Sequence, residues 1–380
     1  MMRILIAPDS FKGSLTAVEF CEIAEQAIER VIPNAEVRKL PLADGGEGTV
    51  ESLVSTTGGQ MKYALVTGPV GDQVEAFYGI LGDKKTAVIE MASASGLPLV
   101  SDDKRNPMHT TTFGTGELIK KVLDEGCTRL IMGIGGSATN DGGAGMLQAL
   151  GFQLLDEKGR EIEWGAKGLL DLRQISSENA DPRLKDLKVE VACDVDNPLV
   201  GPSGASAVYG PQKGADAAMV QVMDQALMNF AQCIQEQLGL EVAHLKGAGA
   251  AGGLGAGLHA FLQAELKMGF EIIRSTVGLD DILAEGYDLV ITGEGQMNDQ
   301  TVRGKLPAGI ARLSKKEGIP VVAIVGSIGT GTEAMYDVGI TSIFSVINRP
   351  MNLENAFNEA KELLSSTVEQ VVRLMIAFHS

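Results

Sequence analysis

The sequence predicts an α/β protein: one parallel sheet assembled from both ends of the chain, with a second, mixed α/β domain inserted between them. Three observations carry this. Short apolar stretches, each followed by a Gly- or Asp-rich loop and then by helical spacing, recur over 1–76 and again over 286–380; that is the rhythm of parallel strand–loop–helix units. The block 77–285 is less regular and opens on a hairpin signal. The 380 residues include 47 glycines but only 4% aromatics, which suits many tight strand-to-helix turns better than a β-sandwich. Two separate domains in series would share most of these features.

In chain order, residues 3–7 read as a buried strand and 8–14 (PDSFKGS) as the loop that follows. Thr16 and Glu19 have capping-box spacing, and Val18, Ile23, Ala27 and Val31 continue a helix until Pro33 and Asn34. A strand over 36–42 leads into the loop 43–49 (ADGGEGT), and 62–67 reads as a third strand of the terminal sheet. Two strands near 76–81 and 86–92 flank Gly82-Asp83-Lys84-Lys85, a hairpin signal. A strand over 129–134 enters the loop 135–145 (GGSATNDGGAG), and one over 189–193 enters Asp194-Val195-Asp196. Residues 216–238 read as one helix. The tail returns to the opening rhythm, with strands at 287–292 (then Gly293-Glu294-Gly295), 321–325 and 342–347, and one amphipathic helix over 353–376. The expected domains are therefore 1–76 with 286–380, and 77–285.

Net charge is −17, against the basic footprint that nucleic-acid binding requires. No apolar run approaches the roughly 20 residues of a membrane span, and the N-terminal one is too short for a signal peptide. Four cysteines without CxxC spacing suit a reducing cytosol. A soluble cytoplasmic protein acting on small molecules is expected, with a homodimer left open.

Ligands of parallel α/β sheets bind beyond the carboxyl ends of the strands, where glycines let backbone N–H groups approach anions. Phosphoryl transfer needs donors around the phosphates, a divalent cation and a carboxylate near the attacking hydroxyl. Asp44, Asp141, Asp194, Asp196, Glu294 and Asp299 lie in such loops, with Lys12, Lys213, Arg303 and Lys305 as the cations that a net-acidic protein needs close to an anionic substrate. Each also has a plainer reading. Asp44 could cap a helix, Asp194 and Asp196 could form an Asx-turn, and the lysines could be solvated surface. A P-loop is absent, because Gly304-Lys305 is followed by Leu306. Gly133-Ile134-Gly135-Gly136-Ser137-Ala138 imitates a dinucleotide fingerprint, with Asp156 near the expected spacing. On motifs alone an NAD-dependent oxidoreductase of a small hydroxy acid stays open.

Taken in order, PDSFKGS (8–14), ADGGEGT (43–49), TTTFGTGEL (110–118), GGSATNDGGAG (135–145), ACDVDNPL (192–199), YGPQKG (209–214), GAGAAGGLG (247–255) and TGEG with DQT and RGK (292–305) resemble the bacterial glycerate kinase family, type 1. Departures are small: Gln296-Met297-Asn298-Asp299 follow TGEG, and Tyr209 stands where Phe is common. The resemblance implies ATP-dependent phosphorylation of D-glycerate, with 2-phosphoglycerate favoured over 3-phosphoglycerate, in glycerate, glyoxylate or sugar-acid breakdown. It implies Mg²⁺ as the only cofactor, and a flavodoxin-like domain interrupted by a mixed one. On that footing Asp44, Lys12 and Asp194 are the expected catalytic residues. Asp9, Ser10, Lys213 and Arg303 are expected to grip substrate. Gly135, Gly136, Ser137, Gly252, Gly253 and Lys305 are expected around the phosphates, and Asp194, Asp196 and Glu294 around the metal.

Overall fold

The computed structural model describes residues 2–302 and 304–377; Arg303 lies outside them. In chain order the described strands are β1 (Arg3–Ile6), β2 (Glu36–Lys39), β3 (Gln60–Thr67), β4 (Gln73–Ile80), β5 (Thr86–Glu90), β6 (Arg129–Gly133), β7 (Gln153–Leu155), β8 (Gln174–Ser176), β9 (Lys188–Ala192), β10 (Glu265–Lys267), β11 (Leu289–Met297), β12 (Val321–Ile328) and β13 (Ile340–Ser345). The chain forms two compact units. Unit 1 takes the residues up to Asp44, Glu51–Gly58, and the chain from Phe270 onward; unit 2 takes Gly45–Val50 and Gly59–Gly269.

Unit 1 is built on a sheet in the order β13-β12-β11-β1-β2, with every pairing parallel. Counted along the chain this is the order 2-1-3-4-5, the flavodoxin-like doubly wound arrangement. Its central strands read RILI and VVAIV because parallel strands are covered on both faces. Ile4, Ile6, Ile291 and Ile324 share one apolar cluster with Phe20, Ala24 and Ile28 of the helix Ala17–Val31 and with Leu364, Val368 and Val372 of the helix Ala360–Ala377. The first of those helices starts on the expected capping box. Thr16 Oγ1 accepts the Glu19 N–H at 3.1 Å, and the Glu19 carboxylate accepts the Thr16 N–H at 3.1 Å.

Two expectations in this unit are corrected. The single helix expected over 353–376 is two, Leu353–Asn358 and Ala360–Ala377. The stripe that packs on the sheet begins only at Ala360, so nothing forces the earlier turn to stay in line. Gly293-Glu294-Gly295, expected as a loop, continues β11, with Glu294 paired to Val325.

Unit 2 carries a six-stranded sheet in the order β10-β9-β6-β5-β4-β3 and a small β7–β8 hairpin. β5, β6, β9 and β10 are parallel, while β4 runs antiparallel to both neighbours. β3 therefore does not join the terminal sheet as expected. The tight link after it, with the Gly68 N–H on Asp72 O at 2.6 Å and Gly71 at φ 89°, turns the chain straight back to form β4. Tyr63 and Leu65, on one face of β3, are left open to solvent, as on a one-sided antiparallel strand rather than a doubly covered parallel one. The units exchange at 44/45, 50/51, 58/59 and 269/270, where the sequence sets 76/77 and 285/286.

Candidate active site

Unit 1 holds a cavity of about 620 Å³ at the carboxyl ends of β1 and β11, where the strand order reverses. A doubly wound sheet leaves its crevice at that switch point. After β1 the chain keeps running beside β11: the Ala7 and Asp9 N–H groups donate to Ile291 O and Gly293 O, each at 2.8 Å, and Thr292 Oγ1 donates to Ala7 O at 2.8 Å. This pairing delivers Asp9 beside Glu294. After β2 the chain stays beside the first loop through Leu40 N–H to Ile6 O (2.8 Å) and Leu42 N–H to Pro8 O (3.1 Å), which brings Asp44 to the same rim.

Lys12 is presented by a tight turn. Phe11 and Leu15 are buried and exchange backbone hydrogen bonds at 2.8 and 3.1 Å, and Gly13 between them sits at φ 81°, a conformation that favours glycine. Phe11 packs edge-on against Phe20, so the base of the turn is anchored in the core while Lys12 stays exposed. Lys305 reaches the cavity from the N-cap position of the helix Leu306–Lys316.

The cavity is thus lined by Asp9, Ser10, Lys12, Asp44, Glu294 and Lys305 on its polar side. Burial, then the negative charge of Asp44, push the Asp9 carboxyl up to about 8, against the Ser10 N–H that it accepts at 2.7 Å and the charge of Lys12. Burial also raises Glu294 to about 7, opposed by the Thr301 hydroxyl at 2.7 Å and by Lys305. The wall is rich in carboxyl oxygens and short of positive charge. Ser10 Oγ is buried without a hydrogen-bond partner among the described residues, a state normally relieved by ligand or water.

In unit 2 the loop after β6 is organised from inside. Asp141 is fully buried and accepts the Thr112 N–H and hydroxyl, each at 2.8 Å, and the Gly143 and Gly145 N–H groups at 3.1 and 3.2 Å. The Met146 N–H goes to Thr112 Oγ1 at 2.9 Å. The N–H groups opening the helix Ala144–Ala149 are therefore taken by the protein's own side chains. A dinucleotide fingerprint needs them for pyrophosphate, so that reading loses its physical basis. Lys213 is 2% exposed and donates to Ser137 Oγ at 2.8 Å and Thr139 O at 2.7 Å, clamping the same loop. Burial pulls its ammonium down to about 7, partly offset by Asp141.

The expected site residues thus divide. Asp9, Ser10, Lys12, Asp44, Glu294 and Lys305 share one cavity. Lys213 is an internal tether, not a group at a surface. Gly252 and Gly253 are buried: a Cβ on Gly252 would lie 2.0 Å from Thr139 O, and the Gly253 N–H goes to Ala250 O at 3.2 Å. Their role is close packing against the loop after β6. Gly135 and Gly136 are exposed in that loop while Ser137 is buried under Lys213. Asp194 and Asp196 are exposed in unit 2, and Asp194 Oδ1 accepts the Gly269 N–H at 2.9 Å. Among the described residues no three His, Cys, Asp or Glu side chains are grouped as a ready metal site.

Sequence reasoning missed Glu90. Its buried carboxylate accepts the Val50 N–H at 2.9 Å and also faces the Gly48 and Thr49 N–H groups at the start of the helix Thr49–Thr57. Burial raises it to about 7, those N–H groups opposing. The signal was available, since a glutamate closing the wholly buried run TAVIE needs a specific partner.

The sequence pattern of the glycerate kinase family matches residues 4–376. The chain is 53% identical over 370 residues to a glycerate kinase of Bacillus subtilis (strain 168), covering 97% of each chain. It is 49% identical over 359 residues to the glycerate 2-kinase of Escherichia coli (strain K12), covering 94% of each. A crystal structure from Salmonella typhimurium LT2, described as a candidate glycerate kinase 2, superposes with a TM-score of 0.90 at 47% identity and full coverage of both chains.

Proposed function

Because this chain belongs to the glycerate kinase family, we propose that it transfers the γ-phosphoryl group of ATP to the 2-hydroxyl of D-glycerate, giving 2-phosphoglycerate and ADP. The observation that carries the reading is the gathering of three carboxyls and two lysines around one cavity at the switch point of unit 1. Phosphoryl transfer uses such a set, because it is catalysed by positioning and by balancing charge.

Asp44 takes up the hydroxyl proton as the oxygen attacks the γ-phosphorus and the bond to the bridging β–γ oxygen breaks. Lys12 and the Ser10 hydroxyl hold the anionic groups of substrate and moving phosphoryl, and Lys305 adds positive charge beside Glu294. Mg²⁺ fits here: the wall is oxygen-rich and its carboxyls raise one another's affinity for positive charge, while Mg²⁺ needs only one or two carboxylates besides phosphate oxygens and water. Glu294 would hold it, and it would neutralise charge on the phosphate oxygens. Asp194, Asp196, Lys213 and the glycines at 252 and 253 have no part in this assignment.

All four cysteines are free, which supports a reducing cytoplasmic setting. No described helix is long and apolar enough to cross a membrane. A role in breaking down glycerate or its precursors follows from the product. The test is D-glycerate with Mg-ATP, followed by enolase without a mutase. Appearance of the enol phosphate supports the 2-phosphate. Dependence on added mutase would move the reaction to the 3-hydroxyl, and no ATP consumption would overturn the reading.

A further inference from the structure

We propose that the apolar wall of the unit 1 cavity, formed by Ile347, Leu353 and Phe357, seats the base of the nucleoside triphosphate. The inference rests on the kinase reading and deepens it. A cavity of about 620 Å³ lies within the range of pockets that enclose a drug-sized ligand, several times what a three-carbon acid fills. Its lining is partitioned. The acids and lysines come from the loops after β1 and β2, from β11 itself and from the segment that follows it, whereas Ile347, Met351, Leu353 and Phe357 come from the segment after β13. Ile347, Leu353 and Phe357 are 36%, 70% and 42% exposed. Large apolar side chains left open inside a concavity, next to a polyanion site, match a ligand that is flat and apolar at one end and anionic at the other. Glycerate has no such end; a nucleoside triphosphate does.

The geometry ties the two regions together. A Cβ placed on Gly13 would lie 3.4 Å from Phe357 Cε2, so the ring flanks the turn that presents Lys12. The turn Leu353–Asn358 ends at Glu359 before the last helix begins, and its apolar residues do not join the stripe that docks on the sheet. The break at Glu359 thereby frees Leu353 and Phe357 to line the cavity.

The experiment compares wild type, Phe357→Ala and the more exposed Leu353→Ser, measuring KM for Mg-ATP and for D-glycerate, and the inhibition constant of inorganic tripolyphosphate, which has the anion but no base. Stacking of a base on an aromatic ring is worth roughly 10- to 100-fold in affinity. Phe357→Ala should raise KM for ATP by about that factor, and Leu353→Ser by a smaller one, with glycerate KM and tripolyphosphate inhibition within about twofold of wild type. An unchanged ATP KM in both variants overturns the seat. So does equal weakening of ATP and tripolyphosphate, which would mean that the ring acts only through the Lys12 turn. Light scattering at assay concentration is run in parallel; loss of an oligomer together with uniform loss of both ligands would assign the wall to a second copy of the chain and also overturn the proposal. Absence of ATP-dependent turnover in wild type would instead sink the kinase reading, so the two failures are distinguishable.

Discussion

Replacing Asp9 by Asn should flatten the dependence of stability on pH. The Asp9 carboxyl moves from 3.8 to about 8 in the folded protein, because it is 6% exposed and sits near Asp44 and Glu294. Between those values the folded chain keeps the proton and the unfolded chain does not. The side chain's favourable contribution is therefore complete below pH 3.8 and is lost as pH rises toward 8. In that window the unfolding free energy falls by up to about 1.4 kcal/mol per pH unit from this group, or roughly 2.5 kcal/mol between pH 5 and 7. Glu294, raised to about 7, adds to the loss in the same direction. Asn keeps an oxygen for the Ser10 N–H, so the turn is preserved while the titration is removed. Urea unfolding of both proteins at pH 5, 6 and 7, in chelator, measures the difference. Wild type should lose about 2.5 kcal/mol more than Asp9→Asn over that range. Parallel slopes, within about 0.5 kcal/mol, would refute the claim that Asp9 is folded into a charge-crowded, desolvated site.

Asp44→Asn should lower kcat by about 100-fold or more with the fold intact by circular dichroism, and near-normal turnover would remove Asp44 as the proton acceptor. Lys12→Ala should raise KM for glycerate or ATP, since the lysine stands on a turn whose anchors, Phe11 and Leu15, are untouched; wild-type kinetics would end the anion-clamp role. Lys213→Met leaves Ser137 Oγ and Thr139 O without their buried donor, and should cost about 1–3 kcal/mol in urea unfolding. Gly252→Ala combines φ 66° with a Cβ 2.0 Å from a backbone oxygen, and should cost at least about 2 kcal/mol by the same measurement. A loss below about 1 kcal/mol would show that the loops at 139–142 and 252 are not packed as described.

Local chemistry was readable without coordinates. The Thr16–Glu19 capping box, the β4–β5 hairpin and the helix Ala217–Leu238, begun by Asp216 on the Met219 N–H and ended by left-handed Gly239, all rest on contacts within a few residues. Such contacts leave periods, caps and turn residues in the letters themselves. The resemblance carried by the ordered loop motifs reached the family for the same reason, since each motif is a contiguous string. β3 was misassigned because an apolar run can be a covered parallel strand or a one-sided antiparallel one, and its partner decides which.

What the string alone determined, then, was the α/β class, a sheet drawn from both termini, and a set of acids and lysines in strand-end loops. Tertiary structure alone decided which of them meet. Asp44, Asp141 and Asp194 look alike in sequence, yet one lines the cavity, one is the buried hub of a loop and one is exposed. Lys12 and Lys213 likewise part company, one at the tip of a turn and the other buried and bonded to Ser137 and Thr139. For the residues of the cavity the cause is the 2-1-3-4-5 strand order, which pairs Ala7 with Thr292 across 285 positions. A site made by pairing so distant in sequence leaves no local pattern, because the free energy that specifies it lies in the burial of both strands together and not in either one.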